Sequence, residues 1–162
     1  MNRIRYVPLV TLILMAFIFP ITCHGSHFSN KQANVQFNVD DTWQVAGSAP
    51  LTLVSPRGDT LLTFDVTKGT SLESALANAQ TLLSLMLSEI SPGEPQYMEI
   101  NGIKAIALQG TCVMRKIPAE FKLLVLDGHR GSYGLFYYFG ASGHEKINED
   151  SLKAFLGSIK RR

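Results

Sequence analysis

Cys112, His129 and Asp127 are the residue types a thiol enzyme would use as nucleophile, base and orienting acid. Their setting argues against that chemistry. Cys112 lies inside LQGTCVM, with no Gly-rich elbow or helix N-terminus to lower its pKa, so a buried, inert thiol is expected. His129 and Asp127 share a turn and His144 follows in the next loop, which supplies types that bind zinc. No His-x-x-x-His or Cys-x-x-Cys spacing supports a metal, and surface histidines are expected. An amino-terminal copper site at Gly25-Ser26-His27 would need cleavage after the bulky His24. Ser55 in VSPRG and Ser132 in RGSYG lack the Gly-x-Ser-x-Gly elbow. No phosphate-binding Gly-rich motif occurs. Tyr133, Phe136, Tyr137, Tyr138 and Phe139 alternate between two strand faces, so they read as core rather than as a stacking platform. The expectation is a protein with no catalytic residue, no metal ligand and no cofactor.

The elements that would position these residues follow from periodicity. VQFNV (35–39) alternates as a half-buried strand, and Trp43 follows the turn at Asp40-Asp41. LTLVS (51–55) and TLLTFDV (60–66) flank the turn Pro56-Arg57-Gly58-Asp59. Thr70-Ser71-Leu72-Glu73 has the form of a capping box, and apolar residues from Leu72 to Ile90 recur at helical steps. Ser91-Pro92-Gly93 is expected to stop this helix of about five turns. QYMEI (96–100) and IKAIALQGTCVM (103–114) meet across Asn101-Gly102, the strongest two-residue hairpin signal. Pro118 marks the next reversal, EFKLLVL (120–126) follows, and SYGLFYYFG (132–140) is apolar on both faces, as in strands covered on both sides. Leu152, Phe155, Leu156 and Ile159 give a last short helix, with Lys160-Arg161-Arg162 as its solvated end.

The N-terminus carries Arg3 and Arg5, then the apolar run LVTLILMAFIFPI (9–21), closed by Pro20. That length suits a secretory signal peptide better than a membrane span. Cys23 and Gly25 stand at −3 and −1 of a cut before Ser26. Two rivals stay open: a retained anchor, and lipidation of Cys23, which would hold the protein on a membrane surface. With 1–25 removed, Arg3 and Arg5 leave, and 13 basic residues face 13 acidic ones. A neutral chain lacks the basic excess of a nucleic-acid binder. Only Cys112 remains, so no internal disulfide can form. The division expected is signal peptide 1–25, flexible lead-in 26–34 and a single domain 35–160.

VQFNVDDTW, LTLVSPRGDTLLTFDV, SLESALANAQTLLSLM, MEINGIKAIAL and the closing SLKAFLGSIK, taken in order, resemble the PsbP-like superfamily. That group includes Ran-binding Mog proteins and bacterial DcrB-related envelope proteins. Where such relatives often place Pro and Gly before the Trp, this chain has Asp40-Asp41-Thr42. The resemblance implies an α+β fold: a three-layer α/β/α sandwich, with a mostly antiparallel sheet of about six or seven strands and two main helices. It implies binding or accessory roles rather than a shared catalytic site. Combined with the N-terminus, it leads to the expectation of a non-enzymatic accessory or adaptor protein of the bacterial envelope. Such a protein would be periplasmic or secreted, would bind a protein partner and no nucleic acid, and would reach the membrane only if Cys23 is lipidated. The loops around Arg57 and Arg130 are where that partner is expected. The alternatives are a small-molecule carrier with its ligand between the sheet and the 71–90 helix, and a hydrolase or metal-dependent protein using His129 and His144.

Overall fold

The computed structural model describes residues 26–142 and 149–162. Eight strands form one antiparallel sheet: β3 (Gln44–Ser48), β4 (Leu51–Val54), β5 (Thr60–Lys68), β6 (Ser88–Pro92), β7 (Gln96–Ile100), β8 (Ile103–Met114), β9 (Ile117–Asp127) and β10 (Ser132–Ala141). The spatial order is β3-β4-β5-β10-β9-β8-β6, and β7 pairs with β8 beside β6, so the two short strands share the outer side of one long strand. Helix α1 (Leu72–Met86) covers one face. The other face carries helix α2 (Glu149–Ser158) and a second, three-stranded sheet made of β1 (Ser26–Asn30), β2 (Val35–Val39) and β11 (Lys160–Arg161). This is the expected three-layer α+β sandwich, with eight strands in the main sheet rather than six or seven.

Strand alternation builds the two cores. On β8, Ile106, Leu108 and Cys112 face α1, while Ile103, Ala105 and Ala107 face α2. Strand β10 is buried along nearly its whole length because both of its faces are covered. On the α2 side the centre is Phe37 of β2, 1% exposed. Its ring lies 5.4 Å from Phe28, 5.3 Å from Phe64, 4.9 Å from Phe136 and 5.6 Å from Phe155. These four contacts join β1, β5, β10 and α2 through one side chain.

Local signals hold where they are self-contained. The Asn101-Gly102 turn has positive φ at both residues, 49° and 79°, and pairs Ile100 with Ile103. The Asn101 amide also donates to the carbonyls of Gly157 (3.0 Å) and Ile159 (2.7 Å), which satisfies the end of α2. Before Trp43, Asp40 does the work of a Pro-Gly turn. Its carboxylate accepts from the Thr42 N–H at 2.9 Å and the Thr42 hydroxyl at 2.7 Å, and these bonds hold its pKa below the ordinary value.

Five expectations need correction. The capping box is one residue later: Ser71 is the N-cap and Ser74 plays the role expected of an acid at N3. The helix stops at Met86, because Leu87 turns extended and Ser88–Pro92 joins the edge of β8 as β6. The reversal assigned to Pro118 lies at Arg115-Lys116, both with positive φ, and Pro118 is inside β9 opposite Val113. Residues 26–30, expected as a flexible lead-in, form β1, because Phe28 stacks on Phe37 and the strand pairs with β2 over its full length. Lys160-Arg161 is not a solvated helix end but β11. It pairs with Val35 and Gln36, and the Arg161 guanidinium donates to the carbonyls of Asp127 (2.7 Å) and Gly128 (3.0 Å).

Two predictions follow from this packing. Phe37→Ala removes the ring that joins the small sheet, α2 and the main sheet and is expected to cost about 3–5 kcal/mol in urea unfolding. The Tyr137 hydroxyl, facing α1, is buried without a hydrogen-bond partner among the described residues. Burial, with the Asp65 carboxylate adding to it, pushes its pKa up from 10.0 to about 12. Between those values the folded chain keeps a proton that the unfolded chain releases, so this group's contribution to stability is lost as pH rises from about 10 to 12. Tyr137→Phe should remove that part of the alkaline loss in paired unfolding curves, without lowering stability at pH 7.

Candidate binding groove

Small side chains leave an apolar concavity on the α2 face. On the α2 face of β8, Ala105 and Ala107 stand where the opposite face carries Ile106 and Leu108. The space above Ala107 is not filled by α2. A groove of about 640 Å³, including its mouth, runs between that helix and strands β7 to β10. Ala107 and Leu124 form its floor, Phe136 and Leu62 its deep end, and Leu152, Phe155 and Leu156 of α2 one wall. Glu94, Gln96, Gln109 and Lys122 ring the mouth. The Lys122 ammonium sits 5.7 Å from the centre of the Tyr138 ring, which lines the same groove.

The outer wall is β7, an exposed edge strand that shares the outer side of β8 with β6, while β3 forms the opposite edge. Four of its five residues are exposed, including Tyr97 and Met98, and only β8 pairs with it among the described residues. The Tyr97 hydroxyl lies 3.2 Å from a Glu73 carboxylate oxygen, tying the strand to α1 on the far face. None of the described residues lining the groove is Cys, His, Ser or Asp, so the surface is suited to binding apolar groups under a polar rim.

The residues with chemical potential lie elsewhere and apart. Cys112 faces α1, 3% exposed, and burial pushes its thiol pKa up, away from the reactive thiolate. Along β8 it stands eight residues from Lys104, the position level with Asp127, roughly 26 Å at about 3.3 Å per residue. His129 is in the β9–β10 turn, and His144 lies outside the described residues, as do Cys23 and His24. Among the described residues no three His, Cys, Asp or Glu side chains gather at a point where a metal could be held. The Nδ1 of His27 is 2.8 Å from Asn38 Oδ1, across the β1–β2 pair. The Ser55 hydroxyl donates to Asp59 at 2.7 Å and accepts from the Thr60 N–H at 3.1 Å, while the Ser132 hydroxyl accepts from Lys68 at 2.7 Å. Both serines are structural pins.

The two loops expected to carry a partner do not share a surface. Arg57 is in the β4–β5 turn and Arg130 in the β9–β10 turn, and the pairing of Thr60 with Gly140 and Lys68 with Ser132 puts them at opposite ends of the sheet. The expected ligand space under α1 corresponds to a recess of about 430 Å³, including its mouth, between Leu83, Ile90 and Phe121, and the more apolar groove lies on the other face. The groove escaped sequence reading because six elements build it. Its one local trace is the Ala-x-Ala of β8, small on one face and large on the other.

The thiol gives a direct test of burial. Cys112 should be inert to a thiol reagent in the folded protein and react as one equivalent when the chain is unfolded in urea; fast native labelling would refute the assignment.

No protein-family model matches this sequence, and no curated protein matches it. Solved structures do. A cyanobacterial PsbP (CyanoP) from Synechocystis superposes with a TM-score of 0.62 at 12% identity, over 92% of this chain and 99% of that one. LpqN of Mycobacterium tuberculosis, described as involved in cell envelope biogenesis, gives 0.58 at 14% identity over 86% of each chain. The protein PA94 of Pseudomonas aeruginosa, of unknown function, gives 0.54 at 12% identity over 86% of this chain and 99% of its own. At such identities the likeness concerns architecture, and on it the chain has a PsbP-like fold.

Proposed function

We propose that this protein is an exported accessory protein of the bacterial envelope that works by binding rather than by catalysis. Its partner is a protein that lays an extended segment along β7 and places apolar side chains in the groove beside it. The observation that carries this reading is the juxtaposition of an exposed strand edge with an apolar groove. An added strand gains main-chain hydrogen bonds from the edge, and alternate side chains reach the pocket. Within β7 there is no Lys and no Pro, and Glu99 is its single charge. The envelope assignment draws support from the N-terminal sequence and from the described role of the similar LpqN.

A second reading has its own support. The groove is concave and apolar with Lys122 at the mouth, which also suits a small amphiphile with an anionic head. One experiment addresses both. A photo-cross-linking residue in place of Met98, in the native host, should capture a discrete protein. The same residue in place of Arg57 should not. Equal capture at both positions, or none at Met98, would remove the adaptor reading. A small adduct of lipid mass at Met98 would favour the second.

A further inference from the structure

A second surface stands apart from the groove. At the end of α1, Leu85 is 79% exposed and Met86 69%; at the tip of the β8–β9 hairpin, Ile117 is 59% exposed. The register brings them together. Ser88, two residues past Met86, pairs with Val113 of β8, and its hydroxyl is 3.3 Å from the Val113 carbonyl. Val113 is next to Met114, which pairs with Ile117. Ile117 shares the parity of Ala119 and Phe121 on β9, so it projects from the α1 side of the sheet. Met86 and Ile117 therefore stand in water at one corner, and Leu85 stands beside Met86 on the outward face of the same helix end, where a folded domain gains nothing by exposing them.

The hairpin between them adds charge. Arg115 and Lys116 both adopt positive φ, 52° and 68°, in the two-residue turn from Met114 to Ile117. The same protein makes the same kind of turn from Asn101-Gly102, the residues that adopt it at least cost. At the β8–β9 tip the turn geometry alone would favour such a pair, yet two long cations stand there. Glu89 is the one acid in 82–90 and 114–118, the segments that build the corner.

Ser26 pairs with Val39, which enters β3 through the tight turn at Asp40–Trp43. Gln44 is level with Val54, Leu61, Phe139, Phe121 and Gly110 across the sheet, four residues from the hairpin tip. The first described residues thus lie at the same end of the sheet as this corner, on the α2 side and beside the β3 edge.

We infer that this corner is a membrane-docking surface. Leu85, Met86 and Ile117 insert at the interface of an anionic bilayer, and Arg115 and Lys116 meet its lipid phosphates. Amphiphilic surfaces with apolar residues beside basic ones bind in this way, with affinity rising with anionic lipid content. The contact needs no lipid on Cys23 and goes beyond the partner groove, which lies on the other face.

The test places a reporter in the surface of the full chain. Ile117→Trp adds an indole at the tip, while the single native Trp43 is buried and serves as the reference. With vesicles of phosphatidylcholine and phosphatidylglycerol, the added indole should shift to the blue and be quenched by brominated lipid. With phosphatidylcholine alone the quenching should fall several-fold. Arg115→Glu with Lys116→Glu should abolish the difference between the two vesicles. Leu85→Trp, on the helix, should behave as Ile117→Trp does. Protein that sediments with vesicles while both introduced indoles stay unquenched would overturn the inference, since another part of the chain would then hold it there. So would a blue shift that appears without vesicles in a species of doubled mass, which would make the corner a contact between two copies.

Discussion

The α2-side layer of this molecule hangs on Phe37. A three-stranded sheet of five-, five- and two-residue strands has too little area of its own to be stable, and a ten-residue helix is marginal in isolation. Both become fixed because one ring is shared between them and the main sheet. Phe64 and Phe136 offer it a surface, Phe155 seals it from the helix and Phe28 from the outer strand. The geometry mixes stacked, tilted and edge-on contacts, as ring quadrupoles prefer. The groove depends on the same cluster, since the helix that Phe155 anchors is also its wall.

The α1-side core has a different character. It mixes aliphatic side chains with Phe121, Tyr133, Tyr137 and Phe139 at alternating β-strand positions, with small alanines (Ala75, Ala79) letting the helix approach the sheet. Its reactive groups, the Cys112 thiol and the Tyr137 phenol, are both held in their neutral forms by burial.

Legibility in the sequence tracked the range of the interaction. Asn101-Gly102 is readable because its φ angles are a property of two residues. The strands around it come out with the same bounds as in the structure, and β10 declares its double burial through composition alone. Leu87 and Ile90 continue the helical stripe of α1 and still leave the helix, because an unpaired side of β8 competes for the same chain. Arg115-Lys116 carries no turn signal; the pairing of Met114 with Ile117 imposes it. Strand β1 is polar and short, and β11 is a pair of basic residues. Each exists only through a partner strand, in the second case one 125 positions away. The groove is further still from local reading, being a volume that six elements fail to fill.

Strand β2 lies between the chain's earliest and latest described strands, β1 and β11. That arrangement sets an order on events during synthesis. The main sheet from β3 to β10 is connected largely by neighbouring hairpins and can organise as it emerges. Layer closure waits for Lys160-Arg161 to pair with Val35-Gln36, where the Gln36 amide donates to the Arg161 carbonyl across 125 positions. Contacts of such sequence separation carry the largest loop-closure entropy and form late. A nascent chain lacking its last few residues would therefore hold β2 with one edge open, and its aromatic face would be the part left for other proteins to shield.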